Sequence, residues 1–247
     1  MSETKSKIEK VNIAEIQEGL YEKLKPSGWA AHLKGFILSA EFTKILMKLL
    51  EDSQNSKNFT PKVKQLFRAF EECPYNDLKV IILGQDPYTI LEDDLNVADG
   101  IAFSCGNTGT IQPDLKFMLN EVQDQMYPDG MTNWDPDLKR WANQGVLLLN
   151  SALTTTLGKT GTHYLLWEPF IVYVLDYLSW NNPGLIYAFL GKKAQEFMPG
   201  MTENNWKFTA PHPVVGAYAK DDKWESDDLF KKISEQLHKN NNLKITW

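Results

Sequence analysis

The chain has 247 residues, enough to bury one sizeable core without a second domain, and its 43% hydrophobic and 12% aromatic content argues against extended disorder. A formal net charge of −6 excludes the uniformly basic surface on which non-specific nucleic-acid binding usually rides, although a local basic face stays compatible with it. Two cysteines, Cys73 and Cys105, are too few for a disulfide framework or a cysteine-based metal site.

No apolar run approaches a membrane span, and the opening MSETKSKIEK lacks the apolar stretch of a signal peptide. A protein of the cytosol, or of an infected cell's cytosol, is expected. Residues 1–20 are polar and read as a loosely held lead-in to a single domain over 21–247. Helical patterns follow near 39–52, 61–72, 114–126, 137–143, 168–180 and 226–239. Thr60-Pro61 and Asp135-Pro136 each place a capping side chain before a proline, the pattern of a helix start, and Gly145 offers a stop.

Between the helices lie short apolar runs: KVIIL (79–83), GVLLLN (145–150), LIYAFL (185–190) and WKFTA (206–210), with a shorter candidate at GIAFS (100–104). Their length and flanking glycines favour strands, and strands alternating with helices predict an α/β fold built on a parallel sheet. Each run ends on something polar. Gln85 and Asp86 follow the first, Asn150 closes the second, Gly191-Lys192 follows the third and Pro211-His212 the fourth. In an open parallel sheet, ligands bind beyond the carboxyl ends of the strands, so these groups converge on one edge.

Singly, each residue has an ordinary explanation. Asp86 could cap a turn, Asn150 a loop or helix, and His212 could be a satisfied loop histidine between prolines. Gly191-Lys192 is a weak phosphate-loop signal. The four histidines show no metal-ligand spacing, and nucleotide-binding glycine motifs and a GxSxG nucleophile elbow are absent from the sequence. What remains is a carboxylate, an amide and an imidazole among aromatics. That set suits chemistry in which a planar heterocycle is held and a cationic sugar is stabilised.

GQDPY after an aliphatic strand, then GIAFS, GVLLLN-x-x-LT, GK-x-AQ and a late HP dipeptide together resemble family 1 uracil-DNA glycosylases, in order and over nearly the whole chain. The resemblance implies a three-layer α/β/α domain around a short central parallel sheet, acting as a monomer on uracil-containing DNA with no metal and no cofactor. It implies that the base is flipped out of its stack, at about a few kcal/mol, and excised to leave an abasic site. Phe103 then stacks on the uracil ring, Asn150 reads its O4 and N3 edge, and Tyr88 excludes thymine's methyl group. His212 donates to O2 as charge develops on the leaving base, Asp86 stabilises the sugar cation and directs water, and Gln85 contributes to the pocket floor. Pro113, Gly191 and Lys192 fall on phosphate-contacting loops.

Several positions depart from the family pattern. Thr89 stands where GQDPY is usually followed by histidine, and the loop to Asp99 is longer and acidic, with Glu92, Asp93 and Asp94. The proline-rich loop is reduced to Pro113, with Asp114 at a usual serine. After His212 the chain reads PVVGAYAKDD, which puts Gly216 at the position of the leucine that wedges into duplex DNA; Val214, Val215 and Tyr218 are the candidate substitutes. Intact chemistry with altered duplex engagement predicts a preference for single strands. The alternative is a weakened family member kept as a DNA- or partner-binding module. A protein inhibitor or replication partner cannot be read from the residues.

Overall fold

The computed structural model describes residues 12–131, 133–219, 223–240 and 242–247. The N-terminal segment corrects the expected loose lead-in. Residues 1–11 lie outside the described residues, but α1 (Ile13–Lys23) is a capped helix: the Asn12 side chain accepts from the Ala14 and Glu15 amides. Leu20 buries its side chain, and α1 packs on α2 (Ala30–Ile37) and α3 (Ala40–Gln54). Burial of one amphipathic stripe overrides the polar composition.

The helix expected over 61–72 is also broken. Thr60 pairs with Thr155 across the two-residue strands β1 (Phe59–Thr60) and β6 (Thr155–Thr156), so it cannot cap a helix. A single 3₁₀ turn (Val63–Gln65) and the short α4 (Arg68–Glu72) follow. Asp135 does cap its turn, accepting from the Asp137 amide at 2.9 Å, ahead of α6 (Lys139–Ala142).

The four apolar runs form one parallel sheet: β2 (Val80–Gly84), β5 (Val146–Asn150), β7 (Ile186–Leu190) and β8 (Trp206–Ala210). Their spatial order is β5-β2-β7-β8. The chain steps from β2 to one side, then crosses to the other, so the strand order reverses at β2. That reversal opens a crevice at the carboxyl end of β2, where Gln85 and Asp86 follow. Gly145 sets the register of β5 on β2 at their opposite, amino ends: its φ of +94° is available to glycine, and a Cβ there would lie 1.8 Å from the Asp77 carbonyl oxygen.

Residues Val80–Leu83 and Ile186–Leu190 are buried on both faces, as a sheet covered by two helical layers requires. One aromatic cluster joins Trp29, Phe36, Phe42, Phe67, Phe70, Trp167 and Phe170, mostly edge to face; a second joins Trp141, Phe230 and Trp247. Each such buried ring contributes about 1.5–3 kcal/mol or more of apolar transfer energy. The remaining elements are the hairpin strands β3 (Leu91–Glu92) and β4 (Leu95–Asn96), then α5 (Pro113–Met126) and α7 (Tyr164–Asn181). Between β7 and β8 lies α8 (Lys192–Gln195); a 3₁₀ helix (Pro213–Tyr218) and α9 (Leu229–Lys239) follow β8. Among the described residues no helix is long and apolar enough to cross a membrane.

GIAFS is not a strand. Its Phe103 has φ +65°, a left-handed conformation incompatible with a strand, and residues 99–106 fold as a tight turn. The acidic insertion is a hairpin whose two turn residues, Asp93 and Asp94, both take positive φ, the geometry of a two-residue hairpin turn.

Candidate active site

Asp86, Tyr88, Phe103, Asn150 and His212 line a single narrow cleft at the carboxyl edge of the sheet, together with Leu66, Leu153 and Asp114. The sheet register builds it. Gly84, the last residue of β2, stands opposite Asn150, the last of β5. A Cβ on Gly84 would come within 2.8 Å of both Asn150 Oδ1 and the Phe103 ring. Only a glycine there lets the amide and the ring approach the strand end together.

Asp86 is held by groups far along the chain. Its carboxylate accepts the Gly161 amide at 2.6 Å and the Tyr164 hydroxyl at 3.4 Å. Burial raises its pKa above the ordinary carboxylate value, while these donors and Thr155 pull it back. The acid is therefore oriented and ionisable in a largely dry setting.

Phe103 is positioned by a buried ion pair. Asp99 is fully buried and accepts from the Ile101 amide (3.0 Å), the Ser104 hydroxyl (2.6 Å) and the Gly106 amide (2.9 Å). Arg68 reaches Asp99 and also bonds both oxygens of Asp137 at 2.8 Å. The Ala102 amide then ties the turn to Leu148 of β5 at 3.2 Å. Tyr88 donates its hydroxyl to the Phe103 carbonyl at 3.3 Å, and burial raises its pKa well above the ordinary phenol value.

His212 lies with its ring centroid 5.6 Å from that of Phe103. Its Nδ1 accepts the Val214 amide at 3.3 Å, which leaves the proton of the neutral ring on Nε2. Burial lowers its pKa to about 4, so at neutral pH the ring is an uncharged donor. Gly191, at φ +88°, allows this packing: a Cβ there would sit 2.9 Å from the His212 Cβ.

A second groove adjoins the cleft, lined by Gln85, Tyr164, Gly191, Lys192, His212, Val214 and Val215. Gln85 thus faces this groove rather than the cleft, and its carbonyl accepts the Ala152 amide at 3.3 Å. Pro113 is exposed at the first turn of α5, outside both. Gly216 is buried against Phe117, whereas Val214, Val215 and Tyr218 are 37%, 42% and 85% exposed. The Glu92 carboxylate accepts from the Gln112 side chain, and Thr89 offers its carbonyl to the Gly158 amide.

Residues 70–238 match the model of the uracil DNA glycosylase superfamily. A uracil-DNA glycosylase of Mycoplasmopsis pulmonis is 32% identical over 225 residues, covering 90% of this chain and 98% of its own length. The chain belongs to the uracil-DNA glycosylase superfamily. Another such enzyme, from Mycoplasma pneumoniae, is 33% identical and covers 90% of this chain and 92% of its own length. The crystal structure of mimivirus uracil-DNA glycosylase superposes with a TM-score of 0.79 at 26% identity, covering all of this chain and 95% of that one. The fold is the three-layer arrangement around a central parallel sheet that the family resemblance implies.

The residues that hold Asp86 and Phe103 escaped the sequence reading. Gly161 comes from the loop leading into α7 and Tyr164 is that helix's first residue, whereas Arg68 opens α4 and Asp99 lies in the loop after β4. A signal was present for Arg68, one of only two arginines among 26 basic residues.

Proposed function

We propose that this protein is a uracil-DNA glycosylase that flips uracil out of DNA and hydrolyses its N-glycosidic bond, leaving an abasic site. The observation that carries the reading is a carboxylate, an amide, a ring and an uncharged histidine in one cleft, within a chain of this family. Uracil stacks on Phe103, and the Asn150 amide donates to O4 and accepts from N3–H. Cytosine presents the reverse pattern and leaves those groups unpaired, which accounts for discrimination by one side chain. Tyr88 closes the edge where thymine carries its methyl group.

As the C1′–N1 bond breaks, its electron pair leaves with the base, and negative charge gathers on O2. Neutral His212 donates a hydrogen bond from Nε2 to that oxygen. The Asp86 carboxylate stabilises the cationic sugar and orients a water, whose oxygen adds to C1′ and whose proton passes to Asp86. The departing uracil anion is protonated by solvent.

Single-stranded DNA is the better substrate in this reading. Supporting it, Gly216 is packed under Phe117 and has no side chain to fill the gap left by a flipped base. On a single strand no such gap opens.

The test is release of uracil from a single-stranded oligonucleotide and from its duplex, by the wild type, Asp86→Asn and His212→Leu. Excision by the wild type, slowed by each substitution and faster on the single strand, is expected. Equal background release by all three proteins would point to a binding module, and strong preference for the duplex would overturn the strand preference.

A further inference from the structure

Asp114 lines the same cleft as Asp86, and none of the roles above uses it. It follows Pro113 in the first turn of the 14-residue α5, a place where an exposed acid would be unremarkable. This one is turned inward and largely buried. Among the described residues its carboxylate makes no hydrogen bond and no ion pair. Burial first, and then the charge of Asp86, raise its pKa to about 6. The groups facing it are Asp86 beyond β2, the hydroxyl of Tyr88, the Cys105 thiol beside that hydroxyl, and His212 beyond β8. Glu92 of the hairpin is engaged by Gln112, the residue before α5, and Lys116 on α5 itself points to solvent. Among the described residues no cation neutralises the pair.

We infer that Asp114 is a second catalytic carboxylate of the cleft, which adds a negative charge beside the cationic sugar of the transition state and weakens the hold on the polyanionic strand in return. It forms no bond and takes no proton during the reaction; it acts through its field alone. A buried, unpartnered carboxylate is costly unless something cationic arrives, and in this cleft only the reacting sugar does. The same charge repels DNA phosphates in the ground state. Ionisation of Asp114 therefore raises kcat and KM together, whereas a structural role would leave neither pH profile with a step that Asp114→Asn removes.

The inference rests on the glycosylase reading, and the experiment separates the two. Uracil release from a single-stranded oligonucleotide is followed at saturating and limiting substrate from pH 4.5 to 8.5. For the wild type, kcat is expected to climb by about 10- to 100-fold across a step near pH 6, the scale of a unit charge about 6–12 Å away at an effective dielectric of about 20. KM should climb over the same step. In Asp114→Asn the step disappears from both profiles, and at pH 7.5 kcat and KM both fall; Asp114→Glu restores the step. A wild type that releases uracil while Asp114→Asn keeps its kcat, KM and pH profile overturns this inference alone. A wild type that releases none overturns the glycosylase reading as well. Should Asp114→Asn fail to fold by circular dichroism, the wild-type profile decides, and a flat kcat around pH 6 overturns the inference.

Discussion

Gly84 offers the sharpest test of how the cleft is assembled, because it is neither polar nor in reach of any chemistry. In Gly84→Ala the added methyl carbon would stand 2.8 Å from Asn150 Oδ1 and 2.8–2.9 Å from two carbons of the Phe103 ring. Ordinary contact begins near 3.4 Å, so both side chains must retreat by about half an ångström or more, or the ends of β2 and β5 must part. Overpacking of this kind costs about 1–3 kcal/mol. The sheet can absorb that, since its core strands are buried throughout and Gly84 lies at their end. The reacting geometry cannot, since misplacement of a bound group by about 1 Å costs on the order of 100-fold in rate. The expected variant is folded, melts a few degrees lower, and loses on the order of 100-fold in kcat/KM for uracil release. Steady-state kinetics beside a thermal melt measure both quantities. Wild-type kcat/KM in a folded Gly84→Ala protein would refute the argument that this close approach sets the positions of Asn150 and Phe103.

Four further outcomes follow from geometry already described. Asp86→Asn keeps the hydrogen-bonding shape but removes the charge, and single-turnover rates should fall by about 10²- to 10⁴-fold. Arg68→Leu strands the fully buried Asp99 without its cation, and denaturant unfolding should show a loss of about 3–5 kcal/mol. Gly216→Leu drives a side chain into Phe117, whose ring would lie within 3.0 Å of the new Cβ, so chemical denaturation should report a loss of about 1–3 kcal/mol rather than a restored wedge. Asp114 adds a pH dependence of stability. Folded, it keeps its proton up to about pH 6, and unfolded only to the ordinary carboxylate value. The folded state therefore binds more protons between those limits and loses stability as pH rises through them. Thermal melts should show Asp114→Asn more stable than the wild type by about 3 kcal/mol at pH 7.5, and little different at pH 3.5.

The sheet was legible because strands buried on both faces must be written as aliphatic runs, as β2, β5 and β7 are. The edge strand β8, with Trp206 exposed, shows only as a short apolar-rich run between turn signals. The polar residue after each run was legible for the same reason, since a sequence that stops being apolar marks the sheet's edge. Asp86, Asn150 and His212 could be placed at one edge in this way, and the family resemblance supplied their partners. GIAFS misled because a short apolar segment looks the same whether it pairs in a sheet or folds under one; the decision came from the Asp99–Arg68 ion pair, which ties this turn to the start of α4. The start of α1 was hidden because its apolar stripe is thin, with Leu20 its one fully apolar buried position. Thr60-Pro61 carries a helix-start signature that pairing with Thr155 overrides. Neither Gly161 nor Tyr164 could be assigned to Asp86 from sequence, because a donor's value to an acid depends on folding that brings the α7 loop back to β2.

Phe103 is held in a left-handed backbone conformation, unfavourable for a bulky residue by about 1–2 kcal/mol. Replacing it with glycine would relieve that cost while removing the ring on which the base rests. At this one position, resilience and usefulness oppose each other. A population of variants screened for heat resistance alone would drift toward a sturdier protein that no longer holds its base, and one screened for uracil release would keep the strained residue and tolerate the weaker fold.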